Sequence, residues 1–196
     1  MSVINILHID IEGGYGGSSR SLSLVANNLD KKKINSEVWV AKEGPALERN
    51  HKYNLKCKIN KNIGYIIPLR KNNIKNIVVS IPKIIRLISL AFNIKYQSKN
   101  IDLLHLNHEG LLPLACFLRI IKINFPIIVH KRSMFPVNFY TRQFSRLYKF
   151  VNGIIFITEN EKKNFQNYNL NSNLNLTNQI IHNASPAILI KKNISK

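Results

Sequence analysis

Acidic side chains are scarce in this chain of 196 residues: ten Asp and Glu stand against 29 Lys and Arg, a formal net charge of +19. Cysteine is scarcer still. Cys57 and Cys116 are too few and too scattered for a disulfide framework, and neither has a Cys or His partner at zinc-ligand spacing, so both kinds of staple are excluded and a reducing compartment fits. Residues 1–10 lack a basic start and turn polar too soon to read as a secretory leader. No uncharged apolar run approaches the roughly 18–20 residues that cross a bilayer. The expected location is therefore cytoplasmic, at most peripheral at the inner membrane surface. Nucleophile signatures such as Gly-x-Ser-x-Gly are missing, as are internal repeats.

The excess of positive charge raises nucleic acid or an anionic membrane as partners. Composition competes with that reading. Ile, Asn and Lys make up about two residues in five, the bias of an AT-rich genome, and the lysines are spread along the chain. Only Lys31-Lys32-Lys33 forms a run, in an apparent turn, so nucleic acid is not the expected partner.

Short apolar, β-branched runs predict strands over 5–9, 37–41, 101–106, 127–130, 154–158 and 180–182. Their continuous apolarity marks strands covered on both faces. Helices are predicted between them, over 19–29, 77–97, 111–122, 139–151 and 159–165. This alternation predicts an α/β fold: a Rossmann-like, doubly wound, mostly parallel sheet with helices on both faces. Residues 42–76 read as irregular, with one strand candidate at 64–69. Thr158 and Glu161 have capping-box spacing, and Gly153 stands where a helix ending at Asn152 calls for a left-handed residue. The domain is expected to span 1–184, with 185–196 as a tail or the start of an interdomain linker.

A glycine turn follows the first strand. Gly13, Gly14, Gly16 and Gly17, followed by Ser18-Ser19-Arg20, open directly into an apolar-periodic stretch. Glycines permit positive φ and close approach of a ligand, and the N–H groups of a new helix favour an anion, so a phosphate-bearing ligand is expected. One glycine would signify only a tight turn; four favour binding. The ends of the other strands are also polar: Asn107-His108-Glu109-Gly110, His130-Lys131-Arg132-Ser133 and His182-Asn183. In an open parallel sheet these ends share one rim, where ligands bind. A polar cleft is therefore favoured over isolated structural histidines. Metal is not expected, because His105-x-x-His108 on a strand sends its side chains to opposite faces and no carboxylate cluster completes a ligand set. A dinucleotide fingerprint on Gly14-x-Gly16 is imperfect, its third small position falling on Ser19 and its acid, Glu43, lying far along.

Taken in order, Ile6-Leu7-His8-Ile9 with Gly16-Gly17-Ser18-Ser19-Arg20, Asp102-Leu103-Leu104-His105-Leu106-Asn107-His108, Pro126-Ile127-Ile128-Val129-His130, Gly153-Ile154-Ile155-Phe156-Ile157-Thr158 and Ile180-Ile181-His182-Asn183-Ala184 resemble the N-terminal domain of glycosyltransferase family 4. The resemblance implies one half of a GT-B architecture and retaining, metal-independent transfer of a sugar from a nucleotide-sugar donor to an acceptor hydroxyl. No cofactor beyond that co-substrate is implied. Carried over by position, Asn107 or His108 would meet the transferred sugar. Gly13, Gly14, Gly16, Gly17 and Arg20 would approach a phosphate, with Glu109, His130 and Arg132 lining the donor and acceptor side. The partners implied are a nucleotide sugar and a glycan or lipid-linked acceptor. The family's second domain carries two glutamates eight residues apart, a spacing that no pair of Glu shows here. The expectation is an acceptor-side half that needs a separate donor-binding domain. A stand-alone α/β nucleotide- or phosphate-binding module is the alternative.

Overall fold

The described residues form seven strands, β1 (Ile4–Asp10), β2 (Ile34–Val40), β3 (Lys56–Ile59), β4 (Leu103–Leu106), β5 (Ile127–Lys131), β6 (Gly153–Phe156) and β7 (Thr177–Ile180), of which β3 was not expected and β7 lies earlier than the expected 180–182. The computed structural model describes residues 3–11, 13, 16–67, 74–169 and 176–182, with the side chains of 74–80 outside that description. Every neighbouring pair is parallel, in the order β3-β2-β1-β4-β5-β6-β7. The order reverses between β1 and β4. At such a switch point the connections leave toward opposite faces and open a crevice at the carboxyl ends.

Helices α1 (Gly17–Asn28), α2 (Pro45–Lys52), α3 (Ile74–Tyr96), α4 (Leu112–Ile120), α5 (Phe139–Ser145) and α6 (Glu159–Tyr168) complete the layers. Alternation along the strands sorts their side chains. Leu7, Ile9, Leu104, Leu106, Ile127 and Val129 join the larger core, with Leu87, Leu90 and Ile94 of α3 and Leu114 and Leu118 of α4. Val38 and Val40 join Leu22 and Ala26 of α1 in a smaller core on the opposite face. His8 is in register with both Val38 and His105, which puts the two histidines on that second face.

Several expectations are corrected. Residues 42–76 are not irregular throughout, since they hold α2 and β3, and 64–67 form no strand while 68–69 lie outside the described residues. Gly64-Tyr65-Ile66 instead runs as a loop tied to the next connection by Ile66 N–H donating to the Gly110 carbonyl at 2.9 Å. Gly153 has no positive φ; it opens β6, where an added Cβ would stand 3.1 Å from the Thr177 carbonyl of β7. The requirement for glycine there is close approach of a neighbouring strand. The helix expected over 139–151 is α5 followed by a 3-10 turn, Arg146–Phe150. At α6 the Thr158 hydroxyl accepts from Glu161 N–H, but the Glu161 carboxylate reaches one residue further back, to Ile157 N–H at 2.9 Å, rather than to Thr158 itself. Pro82 is accommodated inside α3.

At the opposite, amino end of the sheet Arg119 gathers chain ends that would otherwise leave carbonyls unpaired. Its guanidinium donates to the carbonyls of Ile123 (2.6 Å), Phe125 (3.1 Å) and Phe150 (3.2 Å) and to Asn152 Oδ1 (2.7 Å), which also accepts from Ile127 N–H. One side chain thereby fixes the end of α4 and the entries to β5 and β6. Hydrogen bonds from a charged donor contribute about 1.5–3 kcal/mol each before mutual compensation, so Arg119→Ala is expected to destabilise the fold by roughly 2–4 kcal/mol. Urea unfolding of the variant checks this, and a shift equivalent to less than about 0.5 kcal/mol, the level of an ordinary surface change, would contradict it.

Candidate functional site

The rim begins where β1 ends. Asp10 is buried and accepts a hydrogen bond from Asn107 Nδ2 at 3.1 Å, across the switch point. The same amide lies 3.4 Å from the Ser18 carbonyl in the first turn of α1. On its other side the Arg132 guanidinium donates to the Asn107 carbonyl at 2.9 Å and to Asn107 Oδ1 at 2.6 Å. Asn107 is itself fully buried. It acts as a pin joining β1, α1, β4 and β5.

Arg132 is placed by a second buried group. Glu109 is fully buried, and its Oε2 accepts the Arg132 backbone N–H at 2.9 Å. The Glu109 carboxylate therefore supports the rim from behind. Lys131 is buried next to it, donating to the Ser133 carbonyl and standing 5.2 Å from the Phe135 ring centre and 5.9 Å from that of Tyr168. Burial pushes its ammonium pKa down, opposed by the charges of Glu109 and Glu161. His108 keeps some surface: its Nδ1 accepts Gly110 N–H at 2.9 Å, which puts the proton of the neutral ring on Nε2, and its ring lies 6.2 Å from that of Tyr65. Of the two polar positions after β4, His108 is the one turned outward.

The glycine turn is only partly a cradle. Gly14 lies outside the described residues. At Gly13 an added Cβ would meet the Glu43 carbonyl at 2.8 Å, and at Gly44, with φ +149°, it would meet the Gly13 carbonyl at 2.4 Å. These two backbones pack directly on each other, which by itself demands glycine at Gly13. Gly16 is extended at φ −76° and caps α1 without a side chain, and beside Gly17 an added Cβ would meet nothing within 4 Å. Among the described turn glycines none has the positive φ expected of them. The open ground that remains is at Gly17, over the first N–H groups of α1. Arg20 points elsewhere: it is exposed and lines a groove between α1 and α2 with Glu48, Arg49 and Lys52. His182 is exposed after β7 on the sheet edge, away from the switch point, and Asn183 lies outside the described residues.

Behind the rim His8, His105 and His130 form a buried row across β1, β4 and β5. The Nδ1 atoms of His8 and His105 are 2.9 Å apart, so one ring donates and the other accepts, which fixes opposite tautomers. The rings of His105 and His130 are 5.6 Å apart, and His130 Nδ1 lies 3.3 Å from Arg132 Nη2, accepting from that cation. Burial lowers the His8 pKa to about 4, and burial with the nearby Arg132 charge lowers that of His130 to about 3. His105 is held well below its ordinary value by burial and then by His8, His130 and Arg132. The row is neutral at pH 7 and serves as framework. Among the described residues no group of three or more His, Cys, Asp or Glu could hold a metal ion. Sequence reasoning passed over Asp10, although a lone acid ending an apolar strand just before a glycine turn was a usable signal.

A model of the family described as Glycosyltransferase Family 4 matches residues 15–176. The chain belongs to that family. No curated protein matches its sequence. Among solved structures, HepE from Anabaena in complex with UDP superposes with a TM-score of 0.61 at 14% identity, covering 93% of this chain and 44% of that one. A glycosyltransferase from Rickettsia africae ESF-5 gives 0.62 at 15% identity, with 93% and 43% covered. A lipopolysaccharide outer core galactosyltransferase, WaaB, gives 0.55 at 15% identity, with 83% and 42% covered. This family 4 chain thus spans less than half the length of these three structures, and its fold is the Rossmann-like half of a GT-B architecture.

The histidine row gives a pH signature. A histidine kept neutral by the fold titrates near 6.5 when unfolded, so between that pH and the folded values near 4 and 3 the unfolded chain binds more protons. Stability is full above about pH 6.5 and falls as pH drops through that window, by up to about 1.4 kcal/mol per pH unit for each ring. Thermal midpoints measured from pH 7 to pH 4.5 are expected to decline steeply, and less steeply in His130→Gln. An unchanged slope in that variant would show that other groups govern the acid response.

Proposed function

We propose that this family 4 chain forms the acceptor-side wall of a glycosyltransferase that moves a sugar from a nucleotide-sugar donor to an acceptor hydroxyl. The observation that carries the reading is the pinned constellation at the switch point, Asp10, Asn107 and Arg132, beside the uncapped start of α1. Sugar transfer asks little of a protein nucleophile and much of preorganised donors that meet the departing diphosphate, within a shielded pocket. Arg132, held by hydrogen bonds to Glu109, Asn107 and His130, and the N–H groups at Gly17 are such donors. His108 is the rim group placed to meet the sugar or the acceptor, with Asn107 fixing its position. Retention of anomeric configuration and independence of metal belong to the same reading. So does a donor-binding domain beside this one, in keeping with neighbours about twice as long as this chain. HepE was crystallised with UDP and glucose, and WaaB is a galactosyltransferase of the lipopolysaccharide outer core. These neighbours support a nucleoside-diphosphate donor and an acceptor in surface polysaccharide or glycoconjugate synthesis.

The test is transfer of radiolabelled sugar with the chain alone and with a family 4 donor-binding domain supplied beside it or fused to it. Transfer is expected only in the second case. Arg132→Ala and His108→Ala are expected to lower kcat by about 10²-fold, the effect of removing one preorganised group, with far-UV dichroism unchanged. Robust turnover by the chain alone would refute the half-enzyme, and wild-type rates in both variants would refute this site.

A further inference from the structure

Arg20 follows the glycine turn in sequence but leaves the rim in space. It stands in the opening turn of α1 and lines a groove of about 470 Å³ between α1 and α2, within the roughly 300–1,000 Å³ of small-molecule pockets. α1 carries no other charged side chain. From α2 come Arg49 and Lys52, one turn apart, so three cations meet in one concave surface. Like charges one turn apart on a helix destabilise it slightly, and an anion lodged among them relieves that cost. Leu24, Pro45 and Tyr53, each half-buried, give the groove apolar walls.

A compositional bias toward lysine does not account for this gathering. Only eight of the 29 cationic residues are Arg, and two of the eight line this groove. A guanidinium offers paired N–H donors that match two phosphate oxygens at once, which an ammonium does not. Both walls are fixed from beneath: Leu22 and Ala26 of α1 pack with Ala46 of α2 in the smaller core, and Ala46 N–H donates to the Gly13 carbonyl at 3.0 Å. The groove is therefore held in shape by the fold itself.

The remaining lining selects the rest of the ligand. Glu48, exposed in the same groove, accepts hydrogen bonds from hydroxyls and repels a further anionic group, which disfavours a polyanion such as nucleic acid. The Tyr53 ring offers a flat apolar wall with a polar tip, suited to the face of a sugar ring. We propose that the groove between α1 and α2 is a second binding site, for a phosphorylated sugar, with Arg20 and Arg49 on the phosphate, Glu48 on a hydroxyl and Tyr53 against the ring. This site stands apart from sugar transfer at the rim: binding here without transfer would leave it intact, and transfer without binding here would remove it alone.

The isotope-labelled full chain is titrated with glucose 6-phosphate, 6-phosphorylated maltotriose, glucose, inorganic phosphate and UMP while its amide resonances are followed. Shifts are expected in α1 and α2 with the two sugar phosphates, which bind at least about tenfold more tightly than glucose or inorganic phosphate. Arg20→Gln with Arg49→Gln is expected to weaken binding by about tenfold or more, and Tyr53→Ala by about threefold. Lys149→Glu with Lys163→Glu, a larger charge change on the side of the larger core, is expected to weaken it by less than about twofold. Shift mapping on the unaltered chain keeps the test sound if a variant misfolds. Tighter binding of the phosphorylated trisaccharide would assign the groove to the end of a glycan, and equal binding to a free sugar phosphate; either outcome supports the site. Binding no stronger than that of inorganic phosphate, a preference for UMP, affinity unchanged by the arginine pair, shifts confined to the rim around His108 and Arg132, or no binding would each overturn it.

Discussion

The carboxyl rim of this sheet depends on the side chain of Asn107. At the switch point of this doubly wound sheet the connections after β1 and β4 leave in opposite directions and open a crevice. Asn107 spans that gap, with its amide nitrogen on Asp10 and the Ser18 carbonyl and its amide oxygen on Arg132. An amide suits the position because it donates and accepts in one plane. Aspartate there would set a second carboxylate against Asp10, and alanine would leave Asp10 and Arg132 each short of a buried partner, a cost of about 1–3 kcal/mol per group.

From this pin the remaining charges follow. Arg132 can hold Asn107 only if its backbone is fixed, and the Glu109 carboxylate fixes it. An isolated buried carboxylate would be costly, so the adjacent Lys131 ammonium and the Arg132 N–H are conditions for its presence. The histidines complete the arrangement by staying uncharged. A protonated ring at His130 would repel Arg132, and one at His105 would repel its two histidine neighbours. They pack as polar but neutral core, and the cation left at the rim is the one aimed by geometry.

How much of this was legible in the sequence varies with the range of the interaction. The parallel sheet was readable because β1, β4, β5 and β6 are continuous apolar runs, a pattern that only a sheet covered on both faces requires. β3 escaped because Lys-Cys-Lys-Ile is short and half polar, as suits an edge strand protected by lysine. α2 escaped because its eight residues carry little apolar periodicity, although Gly44-Pro45 marks its start. The rim residues after β4 and β5 were found from their place at strand ends, but their division into exposed and supporting groups was not. Burial of Asn107 and Glu109 arises from contacts 23 to 97 residues apart in sequence, which no local pattern encodes. The glycine turn was read too simply for the same reason: the neighbour that requires Gly13 is the Glu43 carbonyl, brought there by the pairing of β1 with β2.

The positive charge divides into two populations that act differently. At the rim the Lys131 charge is offset by Glu109 and Glu161, while the Arg132 guanidinium is held by the neutral groups of Asn107 and His130. Along residues 49–101 no acid offsets the cations, and their field extends outward until salt screens it over about 8 Å at physiological strength. A compositional bias toward lysine explains the number of these charges. It does not explain why Glu109 and Glu161 stand beside the buried Lys131. The rim charges therefore act on one another at short range inside the fold, whereas those along residues 49–101 act outward and are screened by salt.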